Sequence, residues 1–231
     1  MSQVATDLAG KHCTIFSADA PACVLIQPTG AHELAGLAEE AAQIQQHAPC
    51  DVTLVSFPVT NWNRDLSPWS ARQAFGSEPF GGNAGETLRW ILEELLPALA
   101  LPKTMPCVLG GYSLAGLFSL WAAYQTNAFR AVAACSPSVW FDDWDTYIAA
   151  HEPKTSHVYL SLGNKEHKTR NPLLRTGKAR ILAQAERLTQ CGVNTTLEWN
   201  SGNHFQDNAA RTAKGFLWCA EQLAGQEKPY A

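Results

Sequence analysis

The stretch VLGGYSLAGLFSLWAAY, Val108–Tyr124, decides how the chain is read. An apolar run ends in two glycines, a tyrosine and a lone serine, and then continues as an apolar segment too long for a strand. That is a buried strand feeding directly into a buried helix, with a turn of almost no length at Ser113. A residue in so sharp a turn takes a strained backbone, and the positions two before and two after it must be small because strand and helix approach closely. Gly111 and Ala115 occupy them, so the pattern is G-x-S-x-A, with Gly116 giving further room. Such an elbow lifts the serine oxygen above the carboxyl ends of the strands. It also aims the N–H of Leu114, at the helix N-terminus, at any oxyanion formed there.

Outward from this junction, short apolar runs alternate with helical patterns. Strands are predicted at 22–28, 51–59, 106–112, 129–137, 157–163 and 195–200. Helices are predicted at 31–47, 84–99, 114–126, 172–190 and 208–224. Continuous apolar strands separated by helices predict an α/β fold with a mostly parallel sheet covered on both faces, wound by right-handed crossovers into one domain over 1–231. Between residues 60 and 83 lies a polar and aromatic segment of 24 residues, longer than ordinary connections and thus expected to be functional or partly helical.

Composition narrows the function. The chain has 231 residues, 46% of them hydrophobic, enough for a large core. A net charge of −4 without a basic, aromatic-studded stripe argues against nucleic acid as a partner. No apolar stretch reaches the length of a membrane span, and no secretory signal is visible at the N-terminus, so a cytoplasmic protein without a membrane partner is expected. Seven cysteines, an odd number lacking any C-x-x-C, read as reduced core residues. Neither H-E-x-x-H nor a phosphate-loop or dinucleotide fingerprint occurs, so no metal and no cofactor is expected.

A serine hydroxyl needs a base, and the base an orienting acid. In the elbow fold they follow in the order Ser, acid, His. Glu166 lies just past the strand HVYLSLG, where a carboxylate can reach the crevice; Asp142, Asp143 and Asp145, after the preceding strand, are the reserve acids. His204 lies in the small-residue loop NSGNHF between the last strand and the last helix, the place for the base. A second oxyanion donor is expected from the loop after the first strand, at Thr29 or Gly30. Trp62, Trp69, Tyr112 and Trp140 are candidate walls of a substrate pocket, each of them equally a packing side chain.

GGYSLAGLFSLWAAY, CSPSVWFDDW, YLSLGNKEHKTRNP and NSGNHF together resemble the putative-esterase family of α/β-hydrolases, which includes esterase D and the enterochelin esterases. NWNRDLSPW and PFGGNAGETLRWILEELLP resemble its compact bacterial members, and the similarity runs over roughly residues 22–220. The resemblance implies an α/β-hydrolase without a separate cap domain, acting on a small-molecule ester through Ser113, His204 and Glu166. Alanine at 115, where a second glycine is commoner, departs from the family only slightly. Any lid would come from the segment around 61–83. The substrate stays open among siderophores, short acyl esters, S-formylglutathione and acetyl sugars, as does assembly into a homo-oligomer. Two other readings remain: an acyltransferase or thioesterase with the same three residues, and a binding protein that kept the fold without the chemistry.

Overall fold

A computed structural model describes residues 1–72, 74 and 78–225. The expected lid segment therefore lies partly outside the described residues, at Gln73 and at 75–77. The chain opens with two strands that the hydrophobic pattern does not announce, β1 (Ser2–Leu8) and β2 (Lys11–Ser17). Then follow β3 (Cys23–Thr29), helix α1 (Leu37–His47) entered through a 3₁₀ turn, and β4 (Val52–Pro58). The long polar segment contains a one-turn helix α2 (Trp62–Asp65) and a two-residue pairing of β5 (Ser70–Ala71) with β6 (Phe80–Gly81). The next helix runs as α3 (Ala84–Trp90), a π-helical stretch at Ile91–Leu95, and α4 (Leu96–Ala98), with Pro97 near its end. Next come β7 (Cys107–Tyr112), α5 (Leu114–Gln125), β8 (Ala131–Cys135) and α6 (Trp144–Ala150). The last third consists of β9 (His157–Gly163), α7 (Pro172–Arg175), α8 (Gly177–Gln190), β10 (Asn194–Asn200) and α9 (Asn208–Ala224).

The main sheet has eight strands in the order β1-β2-β4-β3-β7-β8-β9-β10. From β4 to β10 every pairing is parallel; β2 runs antiparallel to both β1 and β4. β3, β7, β8 and β9 are buried along their whole length, which is why their sequences are continuous apolar runs rather than alternations. On one face, Leu37, Ala41 and Ile44 of α1 share a core with Ala213, Phe216 and Leu223 of α9. On the other, α3, α5, α6 and α8 pack around Leu88, Phe118, Trp144 and Ile181. This is the α/β-hydrolase architecture, and its strand order puts β7 in the middle of the sheet, with the carboxyl ends of β3, β7, β8, β9 and β10 opening to the same edge. Among the described residues no helix is long and apolar enough to cross a membrane.

Most predicted and observed boundaries agree within a residue or two; the helix expected over 31–47 begins only at Leu37, after a 3₁₀ turn at Leu34–Gly36, and two further differences are of substance. The helix expected over 172–190 breaks at Thr176 into α7 and α8, and the strand expected over 129–137 is ordered only over 131–135. Beyond Cys135 the chain must turn away at Ser136, whose φ is +41°.

Candidate active site

Ser113 stands between β7 and α5 with φ +58° and ψ −118°, outside the territory of ordinary L-residues. Its N–H is held by the Cys135 carbonyl at 3.0 Å, and its own carbonyl accepts from Leu117 N–H and Ser138 N–H. The close approach inferred from the sequence is real: a Cβ on Gly111 would stand 2.6 Å from the Cβ of Ala115. The side chain points into a cavity of about 650 Å³ at the carboxyl edge of the sheet.

Across that edge His204 projects from the loop between β10 and α9. Its Nε2 lies 2.9 Å from Ser113 Oγ, and its Nδ1 lies 2.8 Å from Glu166 Oε2. Glu166 is fixed by its other oxygen: Oε1 accepts from Gly163 N–H at 2.6 Å and from Ser136 Oγ at 2.8 Å. The left-handed turn at Ser136 is what brings that hydroxyl to the carboxylate. Gly163 must be glycine for the same reason, since a Cβ there would meet Glu166 Oε1 at 2.8 Å and the Gly202 carbonyl at 2.7 Å. The acid and histidine loops are also stitched together: Asn164 N–H donates to Asn200 O at 2.8 Å, Lys165 N–H to Gly202 O at 3.0 Å, and Gly202 N–H to Asn164 Oδ1 at 3.1 Å.

Sequence reasoning picked these three side chains and the structure brings them together. It does not bring the reserve acids to them. Asp145 pairs with Arg180 at 3.0 Å, and Asp142 and Asp143 line a shallow groove beside Trp69. His167, next to Glu166 in sequence, lines the cavity, but the carboxylate faces His204.

The cavity wall includes Trp62, Phe80, Tyr112, Leu114, Trp140 and Phe205, with Lys165 and Lys168 also contributing. Trp69 is elsewhere: it packs on Phe141, Trp144 and Tyr147 and donates Nε1–H to the Asp142 carbonyl at 3.1 Å. Thr29 and Gly30 do not line the cavity either. Thr29 ends β3 in register with Pro58, its hydroxyl bonded to Ser56 Oγ at 2.7 Å. Gly30 N–H is directed to Glu33 Oε2 at 3.0 Å, so the loop's donor is already engaged by a carboxyl that does line the cavity. Burial pushes the Glu33 carboxyl up to about 7, the Gly30 N–H pulling weakly the other way. Desolvation lowers His32, whose ring meets Trp62 edge-on.

Tyr112 does more than line the cavity. Burial, with the nearby Glu166 charge, pushes its hydroxyl up to about 12. It therefore stays protonated, and donates to the His204 carbonyl at 2.9 Å. Ser136, Glu33 and Arg211 were not picked out from the sequence. For Arg211 a signal existed: it stands four and eight residues before Gly215 and Cys219, on the stripe of α9 that faces the sheet, where a charge needs a reason.

The sequence profile of the putative-esterase family matches residues 22–206. No curated protein matches in sequence. Among solved structures, an IroE-like serine hydrolase from Shewanella oneidensis superposes with a TM-score of 0.78 at 19% identity, over 95% of this chain and 80% of that one. The siderophore hydrolase EstA from Aspergillus nidulans gives 0.69 at 17%, over 96% and 93%. The enterobactin esterase FES from Shigella flexneri gives 0.63 at 15%, over 93% of this chain and 55% of that larger one. At such identities these likenesses speak for the fold, and the profile speaks for the family. A strand-to-helix elbow in an eight-stranded α/β-hydrolase sheet, within a chain whose residues 22–206 match that profile, has one reading: the chain belongs to the putative-esterase family and is a carboxylic ester hydrolase.

Proposed function

We propose that the chain cleaves its ester through an acyl-enzyme on Ser113. The observation that carries this reading is the unbroken line Ser113 Oγ, His204 Nε2, His204 Nδ1, Glu166 Oε2, with gaps of 2.9 Å and 2.8 Å. Glu166 accepts a hydrogen bond from Nδ1–H and so fixes the tautomer that leaves Nε2 free to receive the Ser113 proton. Ser113 Oγ then attacks the carbonyl carbon. The oxyanion that forms meets the N–H of Leu114, in the first turn of α5, where helix N–H groups lack an intrahelical acceptor. A second donor at Gly30 requires the Glu33 side chain to leave Gly30 N–H. His204 returns its proton to the departing alcohol, and a water activated by the same imidazole releases the acid.

An aromatic cavity of about 650 Å³, with two lysines in its wall, suits a bulky, electron-rich, anionic ester better than a short acyl chain alone. The names of the structural relatives point the same way, toward siderophore esters, and we place the substrate there. Cytoplasmic residence belongs to the same reading, supported by the thiols of Cys13, Cys107, Cys135 and Cys219 in the core.

A fluorophosphonate probe tests the chemistry. Label should appear on Ser113 and vanish in His204→Ala, and Ser113→Ala should lose p-nitrophenyl acetate turnover by about 10⁴–10⁶-fold with its circular dichroism unchanged. An unlabelled, folded wild-type protein would return the chain to the binding-protein reading. Turnover that appears only with an added thiol or alcohol acceptor would make it an acyltransferase.

A further inference from the structure

Arg211 is 2% exposed, in the first turn of α9, and is bound to every piece of the site except the serine itself. Its Nη2 donates to the Ser201 carbonyl at 2.7 Å and its Nη1 to the Asn203 carbonyl at 2.9 Å, both on the loop that carries His204. Nη1 also donates to the Tyr112 hydroxyl at 3.0 Å, and that hydroxyl donates to the carbonyl of His204. One planar fork thus reaches three carbonyls of a four-residue stretch, the third through tyrosine. The tyrosine is the residue immediately before Ser113. Behind the fork lies Glu166, with Oε1 3.6 Å from Nη1. A guanidinium this buried is costly unless its charge is met, and this carboxylate is its ion-pair partner in the structure. The same carboxylate oxygen takes Gly163 N–H and Ser136 Oγ, leaving Oε2 for His204.

We propose that Arg211 is a positioning residue for the ester cleavage: it locks the His204 loop to Tyr112 and holds Glu166 with Oε2 turned to the imidazole. The inference rests on the assignment of Ser113, His204 and Glu166 made above. Ordinary helix packing does not require this arrangement. An apolar side chain would suit the sheet-facing stripe of α9 better, and the fork spends its donors on the loop and the tyrosine rather than on α9. Lysine, with all its donors on one nitrogen at the end of a flexible stem, cannot reproduce a fork that reaches Ser201 from one nitrogen and Asn203 and Tyr112 from another.

The test compares Arg211→Met, Arg211→Lys and Tyr112→Phe with the wild type in three readouts: kcat and KM on p-nitrophenyl acetate, the far-downfield proton resonance of the His204 Nδ1–H shared with Glu166, and thermal stability. Arg211→Met should lower kcat by about 10²-fold, the scale of a small misplacement of reacting groups, with KM near wild type, and should lose the downfield signal. Arg211→Lys should recover the signal and part of kcat. Tyr112→Phe should lower kcat and keep the signal. A folded Arg211→Met with reduced thermal stability but wild-type kcat and signal overturns the proposal. Should that variant fail to fold, an unchanged kcat in Tyr112→Phe together with an unchanged signal and kcat in Arg211→Lys overturns it. A wild type without turnover whose downfield signal disappears in Arg211→Met would sink the esterase reading and leave the positioning role standing.

Discussion

Three residues far apart in sequence meet within hydrogen-bond distance, and each meets its neighbour for a separate local reason. Ser113 is placed by a sharp turn, Glu166 by the Ser136 and Gly163 donors, His204 by the loop that Asn164, Tyr112 and Arg211 pin down. The acid is where residue-level evidence discriminates best. Glu166→Gln should reduce kcat by roughly 10²–10⁴-fold, because the amide can hold the imidazole only in the wrong tautomer or not at all. Asp142→Asn, in the shallow groove beside Trp69, should leave p-nitrophenyl acetate kinetics at wild type. Steady-state rates on the two purified variants check both. Ser113 and His204 were legible in the sequence because each sits at a junction whose neighbours are constrained: small residues around Ser113, a Ser-Gly-Asn turn before His204. Arg211 was not, since its partners are backbone carbonyls and a phenol brought close only by the fold. Thr29 and Gly30 were reached by analogy of position in the chain, and the pattern of residues held no hint that Glu33 would fold back onto Gly30 N–H.

At the scale of elements, the turn from β7 into α5 stores strain that the sheet and helix hold in place. Ser113 φ of +58° with ψ of −118° is a conformation glycine adopts far more readily than any side-chain-bearing residue. Comparing Ser113→Gly with Ser113→Ala removes the hydroxyl from both and leaves the backbone as the difference. The glycine variant should be more stable by about 1–3 kcal/mol in denaturant unfolding, and both should be inactive. Most of the strands and helices that were read correctly are buried on one stripe or on both faces, where apolar periodicity is unavoidable; β10, only half-buried, is the exception. β1 escaped because most of its residues are exposed on both faces and its sequence, SQVATDL, carries little apolar signal. α6 escaped because seven residues are too few to show a helical period. The short helix α7 has its own start, where Asn171 Oδ1 accepts from Leu173 and Leu174 N–H, and at the break the Thr176 hydroxyl donates back to the Leu173 carbonyl at 2.7 Å.

For the whole molecule, two carboxyls, Glu40 buried and Glu33 half-buried at the cavity wall, couple folding to pH. Glu33 and Glu40 are both raised by burial above the ordinary carboxyl value of 4.5, Glu33 to about 7 and Glu40 well above its usual range, with Gln27 its weak partner at 3.4 Å. The folded chain therefore binds these protons more tightly than the unfolded one. The stability they contribute is complete below about pH 4.5 and is lost as pH rises through about 7 for Glu33. Across that window Glu33 alone tilts stability by at most about 1.4 kcal/mol per pH unit. Thermal melts from pH 4.5 to 8 should show stability falling toward alkaline pH, and Glu33→Gln should flatten its share of the slope while Glu40 keeps the rest.

The antiparallel pair β1 and β2 stands at the far end of the sheet from the chemistry, yet it covers an edge along which copies of the chain could otherwise pair. β4 is nearly all buried, VTLVSFP, and β2 bonds along it through Thr14, Ile15 and Phe16. Without that cover β4 would present a bare, greasy selvedge of unpaired N–H and C=O groups, the template on which chains stitch to one another. What faces the solvent instead is β1, a hem on which Gln3, Thr6 and Asp7 surround a single exposed valine, Val4.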